Sequence, residues 1–465
     1  MTMKQAAAVV VLLGAWSGTA AAQSAAGGPV PTFNKDVAPI FFANCTACHR
    51  PGEIAPMSLL TYKDARPWAK AIATRVADGA MPPWHADPAH GSFSNERRLT
   101  DAQKATIARW VSGGAPEGRA EDLTAAPVYS DGWNIGQPDV VLSMQEDYPI
   151  PATGTVPYQY LEVPANFAED RWIQSWEIKP GDRASVHHII VSTRAPQPPP
   201  GTAPAPPQAR PAAAPGAPRP LPLFSFAGGT EIPRGQTGGE PLPPDQRAAP
   251  GPNDRPRQRG TGPSIGGYVP GNSIRRFPEG MAMRLPAGHS LVLQMHYTPY
   301  GKATTDRTRI GLKFAPGPPK VVLNSAALIN GGLQIPAGAP NHEVDAEMTV
   351  NREIMLYSMI PHTHVRGKRW HYEAVYPDGR REVILSVPKY DFNWQHEYVF
   401  KEPLKIPAGT KILAKAWYDN SPANKSNPDP TKVVTWGDQT WEEMMYTSLT
   451  FSIAPAPPAT AGRQR

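Results

Sequence analysis

The pattern of apolar and polar residues changes once along the chain. Between residues 30 and 120 it predicts three helices, and from Trp133 onward it consists of short β-rich runs. The predicted helices are 33–43, 62–78 and 100–112. The third begins with the capping box Thr100-Asp101-Ala102-Gln103 and ends at Gly113-Gly114, and we assign its apolar stripe to a core.

The β-rich runs are separated by turns that contain proline and glycine. Strands at this spacing without helical periodicity are typical of sandwiches or barrels. A chain of 465 residues is long enough for about three domains. We therefore expect a small all-α domain at 30–120 and two all-β sandwiches at 128–315 and 316–455. The clearest strands are 156–163, 172–178, 290–297 and 411–418.

Two proline-rich segments are predicted to lie outside the sheets. Residues 195–262 carry Pro-Pro-Pro and repeated Ala-Pro, in a chain with 57 prolines. Proline cannot donate to a β-ladder, and such a composition cannot bury a core. We expect a mobile insertion on the first sandwich and a disordered tail at 456–465.

Composition and charge limit the location and the partners. The chain is 40% hydrophobic and 18% charged, and its net charge of +6 is spread without basic clusters, so nucleic acid is not an expected partner. Residues 1–22 have the basic start, apolar run and small-residue end of a secretory signal peptide. No later stretch reaches the roughly 18 apolar residues of a membrane span. We expect a soluble, exported protein.

Both cysteines of the chain lie in Cys45-Thr46-Ala47-Cys48-His49. In an exported protein a cysteine pair first indicates a disulfide. However, C-x-x-C-H is the motif whose thiols attach haem c and whose histidine ligates the iron. Met81, on a proline-stiffened loop, is the candidate second axial ligand, and Met57 is the weaker one. Residues 30–120 resemble a small class I c-type cytochrome, which implies haem attachment after export and a bacterial periplasm.

Histidines in the β-rich part have the spacing of metal ligands. His362 and His364 lie two residues apart on a predicted strand, so both imidazoles face the same side. Burial of these imidazoles without hydrogen-bond partners or a metal would cost roughly 1–3 kcal/mol each. His187 and His188 are adjacent and reach one ion only at a bend or strand end. His296, alone on its strand, is more simply structural.

Met444 would ordinarily fill a core. Together with His362 and His364 it would complete a site of two nitrogens and one sulfur, and a thioether favours copper(I) over zinc or iron.

Taken together, these motifs resemble the copper type II, ascorbate-dependent monooxygenases, the family of peptidylglycine α-hydroxylating monooxygenase and dopamine β-hydroxylase. The resemblance covers roughly residues 130–455, with the motifs in the family's order. It implies an electron-transfer copper held by His187, His188 and His296. It also implies an oxygen-binding copper held by His362, His364 and Met444.

The resemblance further implies two jelly-roll sandwiches, each with one copper, on the two sides of a solvent-filled cleft. The chain differs from the family because no cysteine remains for its disulfides. The positions at which peptide-processing relatives hold a substrate carboxylate are here Ile360, Tyr446 and Ser448. Because these residues carry no positive charge, we expect a pocket for a small neutral or apolar molecule.

The expected function is a periplasmic monooxygenase that uses O2, two copper ions and one haem c, which an upstream electron donor reduces. The linker 119–127 reaches at most about 33–36 Å, so we expect the haem to stay near the first sandwich and to reduce its copper. One alternative is a haem and copper electron carrier, or a copper-binding protein, without oxygen chemistry. Another is a scaffold whose sandwiches bind an extracytoplasmic partner.

Overall fold

We describe residues 28–129, 132–196, 222–227 and 262–454 of the protein from a computed structural model. The predicted signal peptide 1–22, most of the insertion 195–262 and the tail 456–465 lie outside these described residues. Within the described ranges, no helix has both the length and the apolar character that crossing a bilayer requires.

The described helices all lie near the start of the chain, in a part that we call the helical region, residues 30–120. All three predicted helices are confirmed, although Pro67, which has no N–H to donate, lies in a 3₁₀ turn that divides the second one. The capping box is confirmed by hydrogen bonds between Thr100 and Gln103 in both directions. The helices are α1 (Ala38–Asn44), α2 (Tyr62–Ala65), α3 (Ala69–Ala77) and α4 (Asp101–Ser112), with a π-turn at Phe33–Val37 and 3₁₀ turns at Arg66–Trp68 and Ala120–Asp122.

The N-terminal β region, residues 132–315, contains twelve described strands, one of which joins the sheet of the C-terminal β region, whereas the other eleven stay in this region. They are β1 (Val140–Ser143), β2 (Tyr148–Ile150), β3 (Gln159–Val163), β4 (Arg171–Lys179), β5 (Val186–Arg194), β7 (Ser264–Tyr268), β8 (Ile274–Arg276), β9 (Met281–Leu285), β10 (Ser290–Tyr297), β11 (Thr304–Asp306) and β12 (Arg309–Phe314).

The C-terminal β region, residues 316–454, contains the other strands together with β6 (Phe224–Ala227). They are β13 (Val321–Ile329), β14 (Gln334–Ile335), β15 (His342–Val350), β16 (Ile354–His362), β17 (Gly367–Val375), β18 (Arg381–Val387), β19 (Tyr398–Ile406), β20 (Lys411–Tyr418), β21 (Val434–Thr435) and β22 (Tyr446–Ile453).

One long sheet passes through both β regions. Its order is β1-β12-β4-β9-β13-β22-β16-β19, with β8 beside β4, and the parallel pair β9–β13 joins the two regions. The sheet β3-β10-β5-β7 covers the N-terminal part, and the sheet β18-β17-β20-β15-β6 covers the C-terminal part. Separate apolar cores lie in the two parts. The layered, mostly β architecture agrees with the coarse prediction from the sequence.

The prediction that the proline-rich insertion forms no β-ladder is wrong at β6. Its backbone pairs with β15, from Phe224 opposite Val350 to Ala227 opposite Glu347. These four residues contain no proline, so every N–H is available to the ladder. The ring of Phe224 also packs 5.1 Å from that of Phe451 in the core.

The helical region extends a segment into the C-terminal β region. Trp84 and Phe93 are 8% and 6% exposed and belong to that region's core. The backbone of residues 87–94 bonds to the same region, for example from Ser94 N–H to Val399 oxygen at 2.8 Å. The sequence predicted a tethered domain, but burial of these aromatic surfaces fixes this segment in the sheet layer.

Candidate metal centre

A β-bulge brings His187, His188 and His296 together. Across the β5–β10 pair His188 lies opposite His296, but Tyr297 pairs with Val186, so the ladder skips His187. A bulge allows adjacent side chains, which a regular strand points apart, to reach the same side. The irregularity that His187 and His188 need is therefore present, and the ligand atoms of these two and of His296 lie within 4.8 Å of one another.

The three imidazoles converge through their Nδ1 atoms. Nδ1 of His188 lies 3.2 Å from Nδ1 of His187 and 3.3 Å from Nδ1 of His296. Two nitrogens bound at about 2.0 Å to one tetrahedral ion would lie about 3.3 Å apart. The donor spacing therefore fits a single ion held by three imidazoles.

The second pair of histidines lies at the end of β16. The rings of His362 and His364 are 5.2 Å apart. Nδ1 of His362 lies 2.6 Å from Gln395 Oε1, and Nδ1 of His364 lies 3.1 Å from the backbone oxygen of Glu442. Both oxygens are acceptors, so each Nδ1 carries the hydrogen and each neutral ring keeps its lone pair on Nε2. Carbonyl groups orient metal-binding histidines in this way.

Glu443 connects this histidine pair to Met444. Its carboxylate accepts hydrogen bonds from the N–H groups of His364 at 2.7 Å, Arg366 at 2.8 Å and Met444 at 3.1 Å. Burial raises the pKa of Glu443 to about 7, against the opposing effect of these N–H groups and of the Arg366 guanidinium. Met444 is itself 8% exposed. The backbone of the predicted third ligand is therefore held beside that of His364 by a carboxylate to which no role was assigned from the sequence.

Burial keeps all five histidines neutral near pH 7. It is the largest cause that lowers the pKa of His187 and of His362 to about 4. It also lowers the pKa values of His188, His296 and His364 well below 6.5, and repulsion from neighbouring imidazoles acts in the same direction. A neutral imidazole is the form that binds a metal ion.

The two histidine clusters are in contact, so the solvent-filled cleft predicted between them is wrong for this structure. The rings of His188 and His362 are 5.9 Å apart. The ring of Tyr158, which is 3% exposed, lies 4.6 Å from that of His296 and 6.4 Å from that of His364. This buried ring fills space that the prediction assigned to water.

A short segment of the C-terminal β region, residues 438–440, holds this contact closed. Asp438 Oδ2 accepts from the Tyr160 hydroxyl at 2.9 Å, and Gln439 Oε1 accepts from Tyr158 N–H at 3.2 Å. Oγ1 of Thr440 lies 2.9 Å from Nε2 of His296. These bonds are made between residues distant in sequence, so no local motif predicts them.

A cleft of about 860 Å³, its open mouth included, adjoins both clusters. His188 and His362 form part of its wall. The three positions that were predicted to form a pocket, Ile360, Tyr446 and Ser448, also line it.

The expectation that the pocket lacks a positive charge is wrong, because Arg275 lines it. Arg275, on β8, forms an ion pair with Glu397, which directly precedes β19. The pair joins the two β regions, and sequence patterns do not reveal such tertiary contacts. Glu397 balances the positive charge, so the ion pair adds no net charge to the cleft.

The C-x-x-C-H turn follows α1, and Cys45 and Cys48 are not joined by a disulfide. Burial, followed by the charge of Cys48, raises the pKa of the Cys45 thiol to about 12. Nδ1 of His49 lies 3.2 Å from the backbone oxygen of Met57. Since Nε2 is on the far side of the ring from this contact, the backbone of Met57 lies behind the imidazole. The backbone N–H of Met81 bonds to the oxygen of Arg75, in the last turn of α3, at 2.9 Å.

The same turn packs against the N-terminal β region. Cys48 lies against Gly271, between β7 and β8, where an added Cβ would be 3.0 Å from the sulfur. Arg97 donates to the Gly271 oxygen at 2.8 Å, and Glu53 pairs with Arg183 at 2.5 Å. The position of the motif agrees with the expectation from the short linker.

Comparisons with known proteins give no family assignment. No family model and no curated protein matches the chain. Among solved structures, allantoicase from Saccharomyces cerevisiae is 9% identical, with a TM-score of 0.16 over 58% of this chain and 80% of that one. The infectious bursal disease virus Gx strain is 11% identical, with a TM-score of 0.16 over 69% and 67%. A fucolectin from striped bass (Morone saxatilis) serum is 11% identical, with a TM-score of 0.13 over 65% and 85%. Likenesses this weak assign neither a fold nor a function.

Proposed function

We propose that the protein is a periplasmic, copper-dependent monooxygenase that hydroxylates a C–H bond of a small neutral molecule with O2. In this proposal the helical region is a c-type cytochrome and the β regions are jelly-roll sandwiches.

The observation that supports it best is the set of five neutral histidines beside a cleft, of which His187 is half-buried and the other four are buried. The Nδ1 atoms of His187, His188 and His296 converge at the spacing of ligands to one ion. In the second cluster, Nε2 of His364 has no hydrogen-bond partner among the described residues. Leaving a buried polar atom unpaired costs about 1–3 kcal/mol, so this geometry favours a ligand-binding role over a purely structural one.

The side chains divide into two ligand sets. His187, His188 and His296 would hold one copper, and His362, His364 and Met444 would hold the other. Copper at these sites supplies the one-electron chemistry that joins one atom of O2 to the substrate, while two electrons and two protons convert the other atom to water.

A second cofactor would be held in the helical region. Cys45, Cys48 and His49, with Met81 opposite, would hold haem c, which supplies electrons one at a time from an upstream donor. The location in the periplasm follows from this motif and from residues 1–22.

The chain's own residues prepare the site. The carbonyl oxygens of Gln395 and Glu442 hold hydrogens on the Nδ1 atoms of His362 and His364, which keeps both Nε2 lone pairs available. Tyr158 excludes water between the clusters, and the adjoining cleft orients the substrate toward His362.

The test is oxygen uptake by the full-length protein, loaded with copper and haem and supplied with reductant. Neutral aromatic and aliphatic compounds are offered under labelled O2, and product mass is recorded. We expect one labelled oxygen atom per product molecule and loss of turnover in His362→Ala. His342→Ala, on β15 away from the cluster, is the matched control and should retain turnover. Uptake without a labelled product, or no uptake with any compound, would favour the electron-carrier alternative.

A further inference from the structure

We infer that the Arg275–Glu397 ion pair sets the substrate specificity of the cleft, and that it selects uncharged molecules with a polar group at the end of an apolar body. The inference rests on the proposed function in one respect, namely that the cleft is where the substrate binds.

The pair lies in the cleft wall and is mostly buried. The side chains of Arg275 and Glu397 are 13% and 11% exposed, and both line the cleft beside His362. Because they come from different β regions, the two charges meet only when the regions are closed as observed. Together they leave a strong local dipole without a net charge.

Glu397 is held firmly in place. Ser358, which is fully buried, donates to its Oε1 at 2.6 Å, while Oε2 faces Arg275. Asn95 of the helical region donates to the backbone oxygen of Glu397 at 2.7 Å and accepts from Val399 N–H at 3.1 Å. These contacts distinguish the pair from an exposed one, whose side chains move freely.

Apolar groups surround the pair. The guanidinium of Arg275 lies 5.2 Å from the ring centre of Phe277, and Trp176 and Met283 also line the cleft. Nε1 of Trp176 is buried, and the described part of the chain offers it no hydrogen-bond partner. A ligand with a hydrogen-bond acceptor near its apolar part would satisfy this donor.

The chemistry of the pair determines which ligands fit. An amide both donates and accepts, so it can bond to the carboxylate and the guanidinium without separating them. A carboxylate would have to displace Glu397 from Arg275, and an ammonium group would have to displace Arg275 from Glu397. Each displacement leaves a mostly buried charge unpaired, so both charged classes are disfavoured.

The experiment is a charge switch measured by calorimetric binding to the full-length protein without O2 or reductant. The probes are phenylacetamide, phenylacetate and 2-phenylethylamine. The natural chain should bind the amide about tenfold more tightly than either charged probe. Glu397→Gln should bind phenylacetate best, Arg275→Gln should bind 2-phenylethylamine best, and the double variant should again prefer the amide.

Arg284→Gln is the matched control, since it breaks a half-exposed ion pair with Asp170 outside the cleft, and it should leave the order of affinities unchanged. An unchanged order in both single variants, tighter binding of a charged probe by the natural chain, or no binding of any probe would overturn the inference. If Glu397→Gln does not fold, the inference is tested by the binding orders of Arg275→Gln and of the double variant.

The two proposals can fail separately. If the probes bind in the predicted orders but no compound causes oxygen uptake, the proposed monooxygenase activity is refuted and the role of the ion pair in specificity is retained. Hydroxylation of neutral compounds together with unswitched binding orders would refute only the specificity role.

Discussion

Replacing His396 with phenylalanine should remove part of the acid sensitivity of this protein. His396 is 5% exposed, and its Nε2 is buried with no hydrogen-bond partner among the described residues. Its ring lies 5.8 Å from those of Trp84 and His85 and is stacked 6.4 Å from that of Trp394. Burial, followed by the charges of Arg97 and His85, lowers the pKa of His396 from 6.5 to about 3.

The direction of the pH effect follows from these pKa values. Between pH 6.5 and about 3 the unfolded chain binds a proton at this residue that the folded chain does not bind. The free energy of unfolding therefore decreases as the pH falls from 6.5 toward 3. Each pH unit below 6.5 lowers the free energy of unfolding by about 1.4 kcal/mol through this residue. At about pH 5 the decrease is therefore about 2 kcal/mol.

The assay is urea unfolding of the full-length protein at about pH 7.5 and about pH 5. Phenylalanine keeps the ring contacts with Trp84 but cannot titrate. Between the two pH values the free energy of unfolding of His396→Phe should therefore decrease by about 2 kcal/mol less than that of the natural chain. Val128→Phe, at an exposed position that does not titrate, is the control, and its free energy of unfolding should fall as much as that of the natural chain. Equal losses in the natural chain and His396→Phe would refute this reasoning.

Three further predictions concern the proposed cofactors. Oxidised protein should show a weak near-infrared sulfur-to-iron band that Met81→Ala abolishes, and persistence of the band would assign the ligand to Met57. X-ray absorption of the copper-loaded, reduced protein should show copper–sulfur scattering that Met444→His removes, and retained scattering would exclude Met444 as a ligand. In stopped-flow mixing, reduced haem should reoxidise at a rate independent of protein concentration, and His296→Ala should abolish that phase. A concentration-dependent rate would mean that the haem serves another partner.

The sequence predicted the elements in which local and tertiary preferences agree. Strands β10 and β20 begin and end as predicted, because each run of β-branched and aromatic residues follows a Pro-Ala-Gly turn and ends before another segment with turn-forming residues. The predicted pairing of His362 and His364 is observed, although β16 ends at His362 and His364 lies two residues beyond the strand.

The sequence could not predict contacts between distant segments. Tyr158 between the clusters, the Arg275–Glu397 pair and the burial of Trp84 in the C-terminal β region all depend on how the regions close. Strand β6 was missed for another reason. The segment 195–262 was interpreted from its high proline content, which hid the short proline-free run that begins at Phe224.

Native mass spectrometry of the full-length, haem-containing protein after copper loading counts the copper ions bound to each chain. The five histidines and Met444 form two ligand sets, so we expect two copper ions per chain. His188→Ala should lose one copper and keep the other, whereas His342→Ala should keep both. One copper in the natural chain, or tightly held zinc in place of copper, would contradict the assignment of two copper sites.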